Sequence, residues 1–400
     1  MIKRILYTLL IMFPVLASAQ INTDRVMAIG RNALYFEDYV LSIQYFNQVI
    51  NAKPYLSDPY FYRGLAKINL DDFQGAESDC SEAIERNPFV VSAYQVRGLA
   101  RIQQNNFAGA IEDYTKALEF DPENIGVWHN MALCRIRQED YKGAKNDLDK
   151  LIAISPRYTK AYLMRGEVDL KQKDTLAAEK DFGKAIEIDR YDADTWASRA
   201  ILRLQQQRYK DAEADFDHAI RLSTRNSGVY INRALARYHQ NNLRGAMSDY
   251  DIALDIDPNN FIGHYNRGLL RAQVGDDNRA IQDFNFVIEM EPDNMMAIFN
   301  RGLLLDQTGD YKGAIKDYST VINEYPNFLL GYQYRAQARR KIGDVKGADA
   351  DEFKVLKAQL DKQNGVDPNK QTADNTENNK TRKKSDKNMN NCLLYTSPSP

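Results

Sequence analysis

Residues 295–328 read MMAIFNRGLLLDQTGDYKGAIKDYSTVINEYPNF, and this stretch predicts two amphipathic helices joined by a tight turn. The first helix is predicted over about Met296–Thr308 and the second over about Tyr311–Glu324, because apolar residues recur there at intervals of three and four. The turn lies at Gly309–Asp310, and Pro326 ends the second helix because proline lacks a backbone N–H. A hairpin this small cannot bury its own apolar face, so it must pack against neighbours.

The same pattern recurs every 34 residues without insertion or deletion. A small residue in the middle of each first helix recurs at Gly30, Gly64, Gly98, Ala132, Gly166, Ala200, Ala234, Gly268, Gly302 and Ala336. Each second helix has a small residue at Ser42, Ala76, Ala110, Ala144, Ala178, Ala212, Ala246, Ala280, Ala314 and Ala348. Small residues at both places allow paired helices to approach closely. We therefore predict an all-α fold, with a repeat region over residues 20–362 whose ten hairpins occupy residues 23–362.

These residues resemble the tetratricopeptide repeat (TPR) family. Besides the small residues, most units carry an early aromatic residue, at Tyr60, Tyr94, Trp128, Tyr162, Trp196, Tyr230 and Tyr332, and many end in proline. The resemblance implies a right-handed superhelical solenoid of stacked hairpins, with the first helices lining a concave groove and the second helices forming the convex back. It also implies a protein that binds protein or peptide partners.

One charge pattern departs from that family. Arginine precedes the small residue in eight units, and aspartate follows each arginine after 16 residues: Arg63 and Asp79, Arg97 and Asp113, Arg165 and Asp181, Arg199 and Asp215, Arg233 and Asp249, Arg267 and Asp283, Arg301 and Asp317, and Arg335 and Asp351. The arginines could form a cationic stripe for phosphate or acidic glycan. Because the two charges nearly always occur together, we favour a structural ladder of ion pairs between first and second helices.

The first nineteen residues predict a cleaved signal peptide. Lys3 and Arg4 precede the apolar segment Ile5–Leu16, and Ala17-Ser18-Ala19 forms a small-residue cleavage site. We therefore expect export to the periplasm or outer envelope of a Gram-negative bacterium, with no integral membrane segment after cleavage. Asp174-Thr175-Leu176 resembles the O-glycosylation sites of exported Bacteroidetes proteins, although a variable turn explains these three residues as well. The resemblance is to an exported, Bacteroidetes-like TPR protein.

The two ends of the repeat region differ from its middle. Asn22-Thr23-Asp24 predicts an N-cap, and the polar residues around Glu352 predict a solvated cap at the last helix. Residues 363–391 predict a disordered polar linker or tail because they contain few apolar residues. Residues 392–400, CLLYTSPSP, resemble a translated sequencing adaptor, so we expect an artefact there and a natural chain that continues beyond about residue 391.

The composition does not indicate enzymatic chemistry or nucleic-acid binding. The net charge is −2, and Lys3, Arg4 and the basic run at 380–387 lie outside the repeats, so the repeats themselves are more acidic. The four histidines are scattered, and no nucleophile elbow, P-loop or metal-ligand spacing occurs. Cys80 and Cys134 are interpreted as small core residues. We predict a non-catalytic protein with no cofactor and no metal site.

The resemblance assigns partner contacts to the first helices. Five residues after the small residue, a polar row contains Gln103, Arg137, Lys171, Gln205, His239, Gln273 and Gln307, and Phe61, Tyr265 and Phe299 add aromatic side chains of the kind that dominate binding energy. A row of leucines one residue after the small residue is either contact surface or core between repeats.

Three functions fit this surface. We favour a scaffold or adaptor of the bacterial cell envelope that binds partners in the groove. The alternatives are the N-terminal sensory or recruiting arm of a longer signalling protein or enzyme, and a glycan-binding module.

Overall fold

A computed structural model describes residues 22–223 and 225–364, and within these ranges the chain forms twenty α-helices and no β-strand. The predicted signal peptide at 1–19, the predicted tail after residue 364 and the predicted artefact at 392–400 lie outside the described residues. The described chain divides at Tyr191 and Asp192 into two compact units, unit 1 and unit 2.

Unit 1 contains five hairpins. Their helices are α1 (Thr23–Tyr35), α2 (Tyr39–Ala52), α3 (Asp58–Ile68), α4 (Phe73–Arg86), α5 (Val91–Gln103), α6 (Phe107–Phe120), α7 (Ile125–Arg137), α8 (Tyr141–Ile154), α9 (Thr159–Lys171) and α10 (Thr175–Ile188). Each odd-numbered helix packs against the following helix, and within the unit each second helix packs against the first helix of the next hairpin.

Unit 2 contains the other five hairpins. Their helices are α11 (Ala193–Gln205), α12 (Tyr209–Leu222), α13 (Ser227–His239), α14 (Leu243–Ile256), α15 (Phe261–Gln273), α16 (Asp277–Met290), α17 (Met295–Thr308), α18 (Tyr311–Glu324), α19 (Leu329–Lys341) and α20 (Val345–Gln363). The same sequential packing occurs in this unit. The predicted all-helical fold of consecutive 34-residue hairpins is thereby confirmed.

The small residues sit where the two helices of a hairpin meet. A Cβ atom added at Gly98 would lie 2.8 Å from Cε1 of Tyr114, and one added at Gly166 would lie 2.6 Å from Cε1 of Phe182. Both rings are fully buried. The close approach predicted from the sequence therefore serves to seat one large side chain of the second helix against the backbone of the first.

The turn between the two helices has the same backbone conformation in every repeat. Its second residue has a positive φ at Glu37, Asp71, Asn105, Glu139, Lys173, Gln207, Asn241, Gly275, Gly309 and Gly343. An L-residue in this left-handed region is strained, whereas glycine is not. The next residue is often Asp or Asn and caps the second helix, as Asp310 does by accepting a hydrogen bond from the Gly313 N–H at 2.9 Å.

Helix α20, the helix predicted to form a solvated cap, is longer than the other second helices. It has 19 residues, whereas the preceding second helices have 14. Glu352 is exposed and pairs with Arg340, as expected for a solvated end. Phe353, Leu356 and Leu360 are exposed as well, so the solvated face of this helix also carries apolar side chains, which the sequence analysis did not note. Asn22 caps α1 as predicted, accepting from the Arg25 N–H at 3.0 Å.

Each helix in the described ranges is too short or too polar to cross the hydrocarbon core of a lipid bilayer.

The turn conformation yields a prediction for Lys173, whose φ is 65°. Lys173→Gly should raise the free energy of unfolding by up to about 1 kcal/mol, because glycine removes the left-handed strain and loses part of that gain to chain entropy. Lys180→Gly, at an exposed position inside α10, should lower it by about 1 kcal/mol. Chemical denaturation followed by circular dichroism measures both, and a loss of stability in Lys173→Gly would contradict the assignment.

Candidate functional site

Buried aspartates on the second helices fix the position of the first helices. The eight arginines that the sequence pairs with aspartate each donate hydrogen bonds to the aspartate 16 residues later, within the same hairpin. In one example, Arg233 Nε donates to Asp249 Oδ2 at 2.9 Å and Nη2 donates to Oδ1 at 2.6 Å. The aspartates are 1–5 % exposed, so this bidentate contact compensates a charge that water cannot reach.

A second basic residue, one turn after the arginine, contacts the same carboxylate. Arg237 Nη1 donates to Asp249 Oδ2 at 2.9 Å. The equivalent contacts are made by Lys67, Arg101, Arg135, Arg203, Arg271 and Arg339. The recurrence of a basic residue four positions after the first arginine is visible in the sequence, but the sequence analysis did not use it. In six repeats the aspartate is thus held from two successive turns of the first helix.

Seven of the eight arginines also join their hairpin to the one before it. Arg233 Nη1 donates to Asp217 Oδ1 at 2.7 Å, and Arg335 Nη1 donates to Ser319 Oγ at 2.9 Å. The same link to a polar side chain 16 residues earlier is made by Arg63, Arg97, Arg165, Arg267 and Arg301. Each of these guanidinium groups thus binds the aspartate of its own hairpin and a polar side chain of the preceding hairpin. The geometry therefore favours the structural ladder over a cationic stripe open to phosphate or glycan.

Repeat 4 shows what happens when the arginine is absent. Met131 occupies its position and is buried, so Asp147 receives only Arg135, whose Nε donates at 2.7 Å. Burial raises the pKa of Asp147, and the single guanidinium of Arg135 compensates this effect only in part.

One inter-hairpin ion pair has its charges reversed. Arg101 Nε donates to Glu77 Oε1 at 2.8 Å, and Arg237 Nε donates to Glu213 Oε1 at 2.7 Å, in each case from a first helix to the preceding second helix. At the equivalent joint between repeats 4 and 5, Lys145 on the second helix donates to Asp169 on the following first helix. The hydrogen bond to Asp169 raises the pKa of Lys145.

The predicted polar row lies at the surface in the last turn of the first helices. In unit 1, Gln103, Arg137 and Lys171 are exposed. In unit 2, the exposed members are Gln205, His239, Gln273 and Gln307, and the His239 ring stacks on Tyr209 with centroids 4.5 Å apart. The leucine row is mostly half-buried, which makes its members accessible walls rather than fully enclosed core.

The three predicted aromatic contacts have different environments. Phe61 is half-buried beside Tyr62. Tyr265 is half-buried, and its hydroxyl oxygen accepts a hydrogen bond from Asn300 Nδ2 at 3.1 Å.

Phe299 is 1 % exposed, so its prediction as a partner contact is wrong. Its ring packs against Tyr318, Phe328 and Tyr334 at centroid distances of 5.7, 5.1 and 5.9 Å. Phe328 and Tyr334 cover it because both are aromatic where most other repeats carry smaller or polar residues.

A cleft of about 360 Å³ opens in unit 2 on the first helices of repeats 8 to 10. It is lined by Leu269, Ala272, Phe284, Asn300, Leu303, Leu304, Asp306, Gln307, Tyr334 and Lys341. Leu269, Leu303 and Gln307 belong to the predicted rows. The cleft therefore brings one residue of the polar row and two of the leucine row into a single concave site.

A change of residue size opens this cleft. Four residues after the small residue, the earlier repeats carry large side chains, at Leu34, Ile68, Ile102, Ile136, Leu170, Leu204 and Tyr238. Repeat 8 has Ala272 at this position and repeat 9 has Asp306. Replacing a branched aliphatic side chain by a methyl group leaves a space that the neighbours do not fill. The sequence signal was this break in an otherwise regular row.

The polar groups of the cleft have defined partners. Asp306 Oδ2 accepts from Lys341 Nζ at 2.9 Å, and the ammonium group lies 5.0 Å from the centre of the Tyr311 ring. Asn300 is 7 % exposed, with its amide directed to Tyr265. Gln307 remains exposed at the mouth. The site thus combines apolar walls with amide donors and acceptors and one ion pair, a composition suited to a peptide that contributes an apolar side chain.

In unit 1, a depression of about 620 Å³ has a different character. Its lining includes Arg97, Arg101 and Asp113, which are already paired with one another, and none of the predicted contact residues lies in it.

The described residues hold no group of three or more His, Cys, Asp or Glu side chains arranged to bind a metal ion. Burial raises the pKa of both Cys80 and Cys134 to about 12, which leaves each thiol protonated and unreactive at neutral pH.

The network predicts a large effect of Arg233→Ala. Removing this guanidinium should lower the free energy of unfolding by about 3 kcal/mol, the low end for breaking a buried pair, because Arg237 still contacts Asp249. Thermal melting followed by circular dichroism measures the change. Arg244→Ala, at an exposed position on α14, is the matched control and should melt like the parent protein. An unchanged melt of Arg233→Ala combined with loss of a bound ligand would instead assign the arginines to recognition.

Comparison with family models identifies tetratricopeptide repeats along much of the chain. A TPR repeat model matches residues 98–134, and two tetratricopeptide repeat models match residues 125–158 and 159–192, and residues 198–261 and 265–327. Together these ranges cover more than half of the chain. Among curated proteins, none shows significant similarity to this sequence.

Solved structures include similar helical repeat proteins. The C-terminal part of a TPR repeat-containing protein from Cytophaga hutchinsonii is 18% identical with a TM-score of 0.50, covering 59% of this chain and 97% of that one. A tetratricopeptide repeat protein from Parabacteroides merdae is 21% identical with a TM-score of 0.48, covering 62% and 98%. YrrB, described as a TPR protein with an unusual peptide-binding site, is 20% identical with a TM-score of 0.39, covering 46% and 95%. At these identities the similarity concerns the fold alone.

Proposed function

The chain belongs to the tetratricopeptide repeat family, and on that basis we propose that it is an exported, non-catalytic adaptor of the bacterial envelope that binds segments of partner proteins on its first helices. Repeats of this family commonly mediate protein–protein interaction, and the fold generally serves as a scaffold without catalysis.

The cleft in unit 2 carries this proposal. Its volume of about 360 Å³ is sufficient for one large side chain of a bound peptide. Leu269, Leu303 and Tyr334 supply apolar contact, and Gln307 at the mouth can donate to and accept from a peptide backbone. Both interactions are needed to hold an extended segment, since apolar burial gives affinity and the amide fixes orientation.

The exposed polar rows extend this surface within each unit. In unit 2, Gln205, His239 and Gln273 occupy the same position in their helices as Gln307, and in unit 1 Gln103, Arg137 and Lys171 do so. Residues at one position of successive repeats form a line, and a peptide in extended conformation can contact several members of it.

Filling the cleft tests the proposed binding. Ala272→Ile places at this position the residue that Ile102 and Ile136 provide in other repeats, so the fold should be retained and the cavity closed. Peptides selected from a displayed random library on the parent protein should bind this variant at least about tenfold more weakly, measured by calorimetry. Ala214→Ile, at an exposed position on α12, is the control and should bind like the parent. Equal affinity of the parent and Ala272→Ile would contradict the proposal.

Export is tested by the N-terminus of the mature protein. When the gene with its leader is expressed in a Gram-negative bacterium, the purified protein should begin at Gln20 and fractionate with the envelope, because Ala17 and Ala19 provide a cleavage site. Ala19→Leu should retain the leader. A protein that begins at Met1 in the cytosolic fraction would refute export.

A further inference from the structure

Helix α20 presents a row of large apolar side chains to solvent. Phe353 is 67 % exposed, Leu356 is 53 % and Leu360 is 47 %. Their spacing of three and four places them on one face of the helix. Among the described residues, no helix covers this face, and none of its three residues lines the cleft of the proposed function.

Leu356 continues a row that forms the joints between repeats. The residues at its position within earlier second helices of each unit are buried or half-buried, at Ile50, Ile84, Leu118, Ile152, Ile220, Leu254, Ile288 and Ile322. Each faces the first helix of the next hairpin. A Cβ atom added at Gly331 of α19 would lie 2.6 Å from Ile322 Cγ2, and one added at Gly263 of α15 would lie 2.9 Å from Leu254 Cδ2. Helix α20 therefore carries an intact stacking surface.

Helix α20 continues past the position at which the earlier second helices end. Earlier second helices end before a proline in most repeats, as α18 ends at Glu324 before Pro326. In repeat 10 the equivalent of Pro326 is Leu360, and the helix continues to Gln363. The row of apolar side chains on α20 therefore extends to Leu360, a position at which the other repeats have already left the helix.

We propose that this face of α20 binds an amphipathic helix of another protein, docked as a first helix docks at each internal joint. Because this face has the same row of side chains as the internal joints, the first helices at those joints indicate which residues the partner helix should carry. Opposite Leu356 it should carry a residue no larger than valine, since this position is Gly331 in α19, Gly263 in α15 and Val229 in α13.

On the partner helix, the residue that lies opposite Phe353 is expected to be apolar. At internal joints this position is polar and accepts from an arginine of the next helix, as Ser319 accepts from Arg335 at 2.9 Å. Phenylalanine cannot accept that bond, so an arginine there would lose its partner and an aliphatic side chain is preferred.

A second copy of this chain fits the surface less well. Its free first helix, α1, carries the exposed Arg25 at the position that Gly263 and Gly331 occupy in their helices. Stacking α1 on α20 would place a cationic side chain on Leu356.

A helical peptide derived from the chain tests the surface. The probe has the sequence of residues 329–341 with Arg335→Met, and with Gln337→Glu linked to Lys341 by a lactam that maintains the helix. Full-length protein should bind the fluorescein-labelled probe saturably in anisotropy titrations. The double variant Phe353→Ser, Leu356→Ser should bind at least about tenfold more weakly, and so should a probe carrying Gly331→Leu, whose side chain cannot fit over Leu356.

Leu176→Ser, which removes an exposed leucine of α10, is the control and should leave probe binding unchanged. Circular dichroism checks that every variant remains folded. Absence of saturable binding, or equal affinity of the double variant or of the Gly331→Leu probe, would overturn the proposal. Sedimentation of the parent protein as a dimer that Leu356→Ser converts to a monomer would also overturn it, since a second copy would then occupy the face.

Discussion

The fold depends on a buried carboxylate at one position of the second helix. In repeats 2 to 10 this aspartate is at most 5 % exposed, and an unpaired charge at that depth would be strongly destabilising. Two basic side chains of the first helix compensate it from successive turns in most repeats. Because those side chains must reach the same two oxygens, the first helix is fixed in rotation as well as in distance. Its polar row and its leucine row therefore keep the same direction from one repeat to the next within each unit.

The contacts of the arginines also show which charged side chains are occupied in holding the fold and are not available to a ligand. Arginine side chains are common at binding surfaces, and a row of eight could indicate recognition of anions. Here seven of the eight guanidinium groups have a carboxylate on one side and a polar side chain on the other. Several also lie over the aromatic ring three residues earlier, as Arg233 lies 5.5 Å from the centre of the Tyr230 ring. In the proposed function, partner contacts therefore fall to groups such as Leu303 and Gln307 and to the exposed ends of the helices.

Periodicity allowed much of the fold to be predicted. Ten copies of one pattern place the helices, the small residues and the arginine–aspartate pairs, because a feature that recurs every 34 residues must serve a contact that recurs with it. The position of the candidate site depends instead on single residues that depart from the pattern. Their effects can be judged only when the side chains that surround them in three dimensions are known. Phe299 looked like Phe61 in sequence, but Phe328 and Tyr334 cover it. Ala272 was one small residue among many until its position beside Leu269 and Leu303 showed a cavity. The exposed face of α20 was missed because its flanking residues are charged.

The reversed pair of Lys145 and Asp169 bears on how nearly identical hairpins find their correct neighbours during folding. At the position of Asp169, most other repeats carry lysine or arginine, and at the position of Lys145 repeats 2 and 6 carry Glu77 and Glu213. A misplaced hairpin that brought Lys145 against one of these cations, or Asp169 against Glu77 or Glu213, would create a like-charge contact, and such contacts oppose association. Only the native joint satisfies both. The reversed pair therefore makes the joint between repeats 4 and 5 chemically different from the other joints. This difference opposes the exchange of hairpins between chains.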